Sequence, residues 1–73
     1  MKSAYKAIGE IAHEIFNQDK TMTVNELEGI LKQKGLLLEL DLDVTESIGL
    51  AYDAFDKEGD PEIATCIAKS FTL

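Results

Sequence analysis

The side chains able to do chemistry are few: one histidine, His13, one cysteine, Cys66, and an excess of carboxylates. A histidine acting as metal ligand or general base needs a second ligand, or a neighbour that orients its ring. His13 has no histidine or cysteine at a metal-site spacing. Its place between Ala12 and Ile15 predicts a position at the edge of a buried helical stripe. Cys66 can neither close an internal disulfide nor build a thiolate cage for zinc, which fits a reducing compartment. It reads as a small buried apolar side chain. No spacing argument brings Cys66 and His13 together.

The carboxylates come closest to a known site at Asp56-Lys57-Glu58-Gly59-Asp60, where acids occupy the first, third and fifth places of a calcium loop and Ile63 follows at an apolar place. The sixth place, which needs glycine for the sharp turn, is Pro61, and the twelfth, which needs a bidentate glutamate, is Ile67. Asp41, Asp43 and Thr45 match less well, with Glu46 at the glycine place and Tyr52 at the twelfth. Solvated acidic loops account for both. The glycines form no phosphate-cradling run, and no serine, histidine and acid arrangement suggests acyl transfer. The expectation is therefore a non-enzyme, with no catalytic residue, cofactor or metal.

Charge is the stronger signal. The fourteen acids outnumber seven basic residues, all of them lysines, for a formal net charge of -7. Residues 1–38 carry equal numbers of the two signs, so the excess falls on the second half, between Glu39 and Glu62. Nucleic-acid binding draws on lysine and arginine to neutralise phosphates, and the commonest base contact uses the arginine fork, so direct binding of DNA or RNA is disfavoured. An acidic face attracts a basic protein surface, and it also keeps a small protein soluble. The candidate docking face is Glu46, Asp53, Asp56, Glu58, Asp60 and Glu62.

Helices must position these groups. From Ser3 to Phe16, Ala4, Ile8, Ile11 and Ile15 recur with the period of an amphipathic helix, which spans about 3–17 and ends in polar Asn17-Gln18-Asp19-Lys20. Thr23 and Glu26 form a capping box for a second helix at 23–34, with a stripe of Val24, Leu27, Ile30 and Leu31, a Glu28–Lys32 pair and Gly35 as its cap. Asp43 and Glu46 open a third, 44–58, burying Ile48, Ala51, Tyr52 and Phe55 and closed by Gly59. Asp60 as N-cap and Pro61 at the first helical position open a fourth, 61–70, with Ile63, Ala64, Ile67 and Phe71 inward. Gly9, Gly29 and Gly49 fall inside helices, where their cost against alanine suggests close helix contacts.

The segment between the second and third helices is ambiguous. Leu36, Leu38, Leu40 and Leu42 alternate with acids as in a half-buried strand, while 36, 40, 44, 48, 51 and 55 also fit one helical stripe. The reading adopted is an extended connector over 36–42. As a strand its only partner within the chain is the Ser70–Leu73 tail. Left unpaired, these four leucines form a candidate self-association segment.

The fold class expected is all-α, a single four-helix domain over 1–73. A core this small leaves little margin over ordering entropy, which makes a homodimer plausible. The longest apolar run, Leu36-Leu37-Leu38, is far short of a membrane span, and the N-terminus lacks a leader-like apolar stretch, so the expected location is cytoplasmic. Three functional readings follow. The first is a protein-binding or regulatory module docking through its acidic half on a basic partner, in its sharper form by nucleic-acid mimicry. The second is a helix-turn-helix DNA-binding regulator, against which stand Glu46, Asp53 and Asp56 on the candidate reading helix. The third is a structural homodimer subunit. Capping boxes and helical periods are shared by many unrelated chains, and they identify no family.

Overall fold

The computed structural model describes every residue from Met1 to Leu73. In chain order the elements are α1 (Ser3–Asn17), β1 (Met22–Thr23), α2 (Val24–Gln33), a 3-10 turn (Leu37–Glu39), α3 (Val44–Lys57), α4 (Pro61–Ser70) and β2 (Phe71–Thr72). Helix dominates, at 71% of the chain, and the all-α expectation holds. Each predicted helix forms within a residue or so of its expected ends.

One core unites the helices. Ile8 and Ala12 of α1, Leu27 and Leu31 of α2, Val44 and Ala51 of α3, and Cys66 and Ile67 of α4 form a single buried cluster. α1 packs chiefly on α4 and α3, and α4 on both. The Ser70 hydroxyl, fully buried, donates to the Ala12 carbonyl at 3.2 Å and so ties the end of α4 to the middle of α1. Buried Ser47 is satisfied within its own helix, donating to the Asp43 carbonyl at 2.8 Å. No buried side-chain polar atom lacks a partner, as a close-packed interior requires.

Helix starts follow the capping signals unevenly. Thr23 accepts from the Glu26 amide at 3.1 Å, and its hydroxyl donates to the Glu26 carboxylate at 3.1 Å. Asp43 accepts from the Glu46 amide at 2.8 Å. Asp60 occupies the N-cap position of α4 but makes no capping bond, so the cap expected there is absent and its carboxylate stays free. Three helix ends share one device. The amides of Lys20, Leu36 and Asp60 reach back to the carbonyls of Ile15, Leu31 and Phe55, with Asp19, Gly35 and Gly59 left-handed at φ 55°, 72° and 81°. These bonds satisfy carbonyls that a helix end otherwise orphans.

The leucine-rich connector differs from the extended, possible β segment expected over 36–42. Leu37–Glu39 wind into the 3-10 turn, and only Leu40 has extended backbone among the residues bounding it. The reason is a docking contact: the Glu39 carboxylate accepts from the Ala4 amide at 3.3 Å, and Lys2 donates to the Glu39 carbonyl and the Asp41 carboxylate, both at 3.3 Å. A flat strand does not place both groups of Glu39 on the start of α1. The β structure lies elsewhere, where Met22–Thr23 and Phe71–Thr72 pair in parallel, Met22 opposite Phe71. The tail thus finds a strand partner, but in the α1–α2 loop.

Further differences sit at helix edges. Tyr52 is exposed, while Ala51 is buried as expected, joined by Val44 and Ser47, and Ile48 and Phe55 pack half-buried against the core. Gly29 and Gly49 face open space, so a close helix contact exists at Gly9 alone. Glu28 and Lys32 form no ion pair; the single ion pair joins Lys2 to Asp41 at 3.3 Å.

Candidate functional site

The six candidate docking acids are all exposed. Glu46, Asp53 and Asp56 lie on the face of α3 opposite Val44, Ser47 and Ala51, because steps of seven and three residues return to one side of a helix. Glu58 and Asp60 follow in the α3–α4 turn, and Glu62 stands in the first turn of α4. Of the fourteen acids only Asp41 has a cation within 4.0 Å, so none of the six forms an ion pair. Exposed like charges along one helix repel each other weakly and present a sustained negative field to a partner.

Two of these acids also line a groove of about 330 Å³ between α1 and the α3–α4 turn. Its apolar part is buried Gly9 with half-buried Phe55 and Ile63. Exposed Glu10, Glu58 and Asp60 supply the negative groups, Lys6 and half-buried His13 face the same space, and Met1 completes the lining. Gly9 makes this geometry possible: a Cβ there would collide with Cε2 and Cζ of Phe55 and stand 3.0 Å from Cγ2 of Ile63. Sequence reasoning had the helical glycine and the acids of the turn. It missed Glu10, Phe55 and Ile63 as groove residues because nothing in the spacing tells which side of α1 meets the turn.

His13 lies within 3.4 Å of the Asn17 side-chain amide, a neighbour one turn along its own helix. Cys66 is buried, at 3% exposure, and burial pushes its thiol pKa above the ordinary 9.0. The negative charge of Glu62 adds to this, a backbone hydrogen bond opposes it, and Asp60 adds a lesser upward push. A thiol held neutral is a poor nucleophile and a poor ligand. No three of the histidine, cysteine and acidic side chains are grouped to hold a metal ion. No helix is long and apolar enough to cross a membrane.

The proposed self-association leucines divide between two environments. Leu36 and Leu40 are half-buried against the core, Leu38 is 95% exposed and Leu42 is 46% exposed. Residues 34–43 separate α2 from α3, whereas a helix-turn-helix uses a turn of about three or four residues. Comparison with known proteins places the chain beside none of them: no family model, no curated protein and no solved structure matches it.

Proposed function

We propose that this chain is a protein-binding module that docks on a basic surface of another protein through Glu46, Asp53, Asp56, Glu58, Asp60 and Glu62. The supporting observation is that all six are exposed, follow one another along α3, the turn and α4, and form no ion pair within 4.0 Å. Complementary charge of this kind steers encounter and selects partners more than it adds raw affinity. Full burial of six carboxylates without partners is costly, so the surface that covers them must carry lysine or arginine. A DNA-handling protein has such a surface, which is the form the reading takes under nucleic-acid mimicry.

The test is capture from native lysate by the wild-type chain and by a neutralised variant, E46Q/D53N/D56N/E58Q/D60N/E62Q, at low and high salt. The expected partner is retained by wild type at low salt, released at high salt, lost with the variant, and displaced by duplex DNA if mimicry is at work. Retention that is indifferent to both salt and neutralisation overturns the reading.

A second reading, a self-associating subunit, is favoured by Leu38, whose side chain is almost wholly exposed although apolar. It expects concentration-dependent sedimentation that Leu38→Asp abolishes. A strict monomer at all concentrations removes it.

A further inference from the structure

The groove beside the α3–α4 turn adds to the acidic strip something that carboxylates alone do not provide: an apolar wall with a defined volume. We propose that it receives one lysine or arginine side chain from a basic segment of a partner protein, an inference that rests on the docking face above and locates its anchor.

Shape gives the first argument. With no side chain at Gly9, the Phe55 ring and the Ile63 methyl close on α1 and leave about 330 Å³, near the low end of the roughly 300–1,000 Å³ typical of ligand clefts. Half-buried Phe55 and Ile63 suit a methylene stem. Charge gives the second. Glu10, Glu58 and Asp60 come from α1, the turn and the start of α4, and none has a cation within 4.0 Å. Against these three carboxylates stand the Lys6 ammonium and the α-ammonium of Met1, so the groove keeps a negative balance of one charge with His13 neutral. An anionic guest meets repulsion there, and a purely apolar guest desolvates carboxylates without pairing them. A cation on an apolar stem satisfies the wall and the acids together. The third argument is local: Asp60 stands at a capping position yet makes no capping bond, which leaves its carboxylate for a guest.

The test is a titration of the isotope-labelled full chain, followed by its amide resonances, with capped alanine pentapeptides carrying arginine, lysine, norleucine or glutamate at the centre. The arginine and lysine peptides are expected to shift Gly9, Glu10, Glu58 and Asp60 saturably, and the other two to leave them unmoved. The double variant E10Q/E58Q, at exposed sites with no side-chain hydrogen bond and therefore expected to fold normally, should weaken the arginine peptide by about threefold or more. Equal shifts with the norleucine peptide, or no groove shift with any peptide, overturn the proposal. Where the groove stays silent while the chain still captures a salt-sensitive partner, the anchor is lost and the docking face stands. Where capture fails too, both fall.

Discussion

The Glu39 carboxylate accepts a hydrogen bond from the Ala4 amide at 3.3 Å, so a residue 35 positions away caps α1. The helix needs this help, for it has no acid in its first turn and its N-cap residue, Lys2, supplies no capping bond. A carboxylate at a helix N-terminus satisfies an orphan amide and opposes the positive end of the macrodipole. Glu39→Ala is expected to cost about 0.5–2 kcal/mol, the range for losing a cap. That loss lowers Tm by about 4–8 °C per kcal/mol in a domain of this size. Glu39→Gln, which keeps an acceptor oxygen, should lose less. Thermal melts of the three proteins check this, and an unchanged Glu39→Ala would mean that the contact does not act as a cap.

Alanine should act in opposite directions at helical glycines of the same chain. At Gly9 the added methyl meets the Phe55 ring and Ile63, and overpacking of this kind costs about 1–3 kcal/mol, more than the roughly 1 kcal/mol that alanine gains in helix propensity. At Gly29 and Gly49 the methyl meets nothing within 4 Å, so each substitution should stabilise by about 0.5–1 kcal/mol. Urea midpoints of the three single variants provide the measurement. A stabilised Gly9→Ala would place Phe55 away from α1 and would also remove the wall of the proposed groove.

Asp19 carries the left-handed turn that ends α1, at φ 55°, where the equivalent positions after α2 and α3 hold Gly35 and Gly59. A side chain in that region is strained, and a carboxylate at a helix C-terminus also faces the negative end of the dipole. Asp19→Gly relieves both and should raise stability by about 1 kcal/mol. Asp19→Ala, which keeps the strain and loses the charge, should gain less or nothing. Parallel unfolding of both variants checks the sign, and an Asp19→Gly that destabilises would show that the aspartate supports the turn.

The contrast between Gly35 and Asp19 shows what could be read from the sequence. Glycine after a periodic run announces a left-handed cap, and Thr23 and Asp43 announce helix starts through bonds to residues three positions on, so local physics writes those boundaries into the chain. The cap on α1 comes from Glu39, the wall of the groove from Phe55 meeting Gly9, and the strand partner of Phe71 from Met22. Each joins residues far apart in sequence, and no periodicity encodes such a meeting. The leucine alternation misled for the same reason, since Leu36 and Leu40 turn inward as a strand pattern requires while the backbone between them is wound by contacts with α1. The exposure of Glu46, Asp53 and Asp56 was legible because their placement on one side of α3 follows from its period alone.

Cys66 links stability to pH with a definite sign. Burial, then Glu62 and more weakly Asp60, raise its thiol pKa above 9.0 in the folded chain, outweighing the backbone hydrogen bond that lowers it, whereas the unfolded chain titrates near its ordinary value. Below that value both states hold the proton and the contribution is constant. Above it the unfolded chain gives up its proton first and binds fewer than the native chain, so stability falls as pH rises from about 9 through the folded pKa. The difference between wild type and Cys66→Ala isolates this contribution and is the quantity to read, over about pH 8 to 10. Wild type should lose stability relative to Cys66→Ala across that window, and parallel curves would remove the linkage. The same burial makes the native thiol slow toward disulfide reagents, because modification waits for the core to open. Glu39→Ala, by loosening α1, should speed that modification. A native chain that reacts as fast as the urea-unfolded one would show that the face of α4 bearing Cys66 is open to solvent.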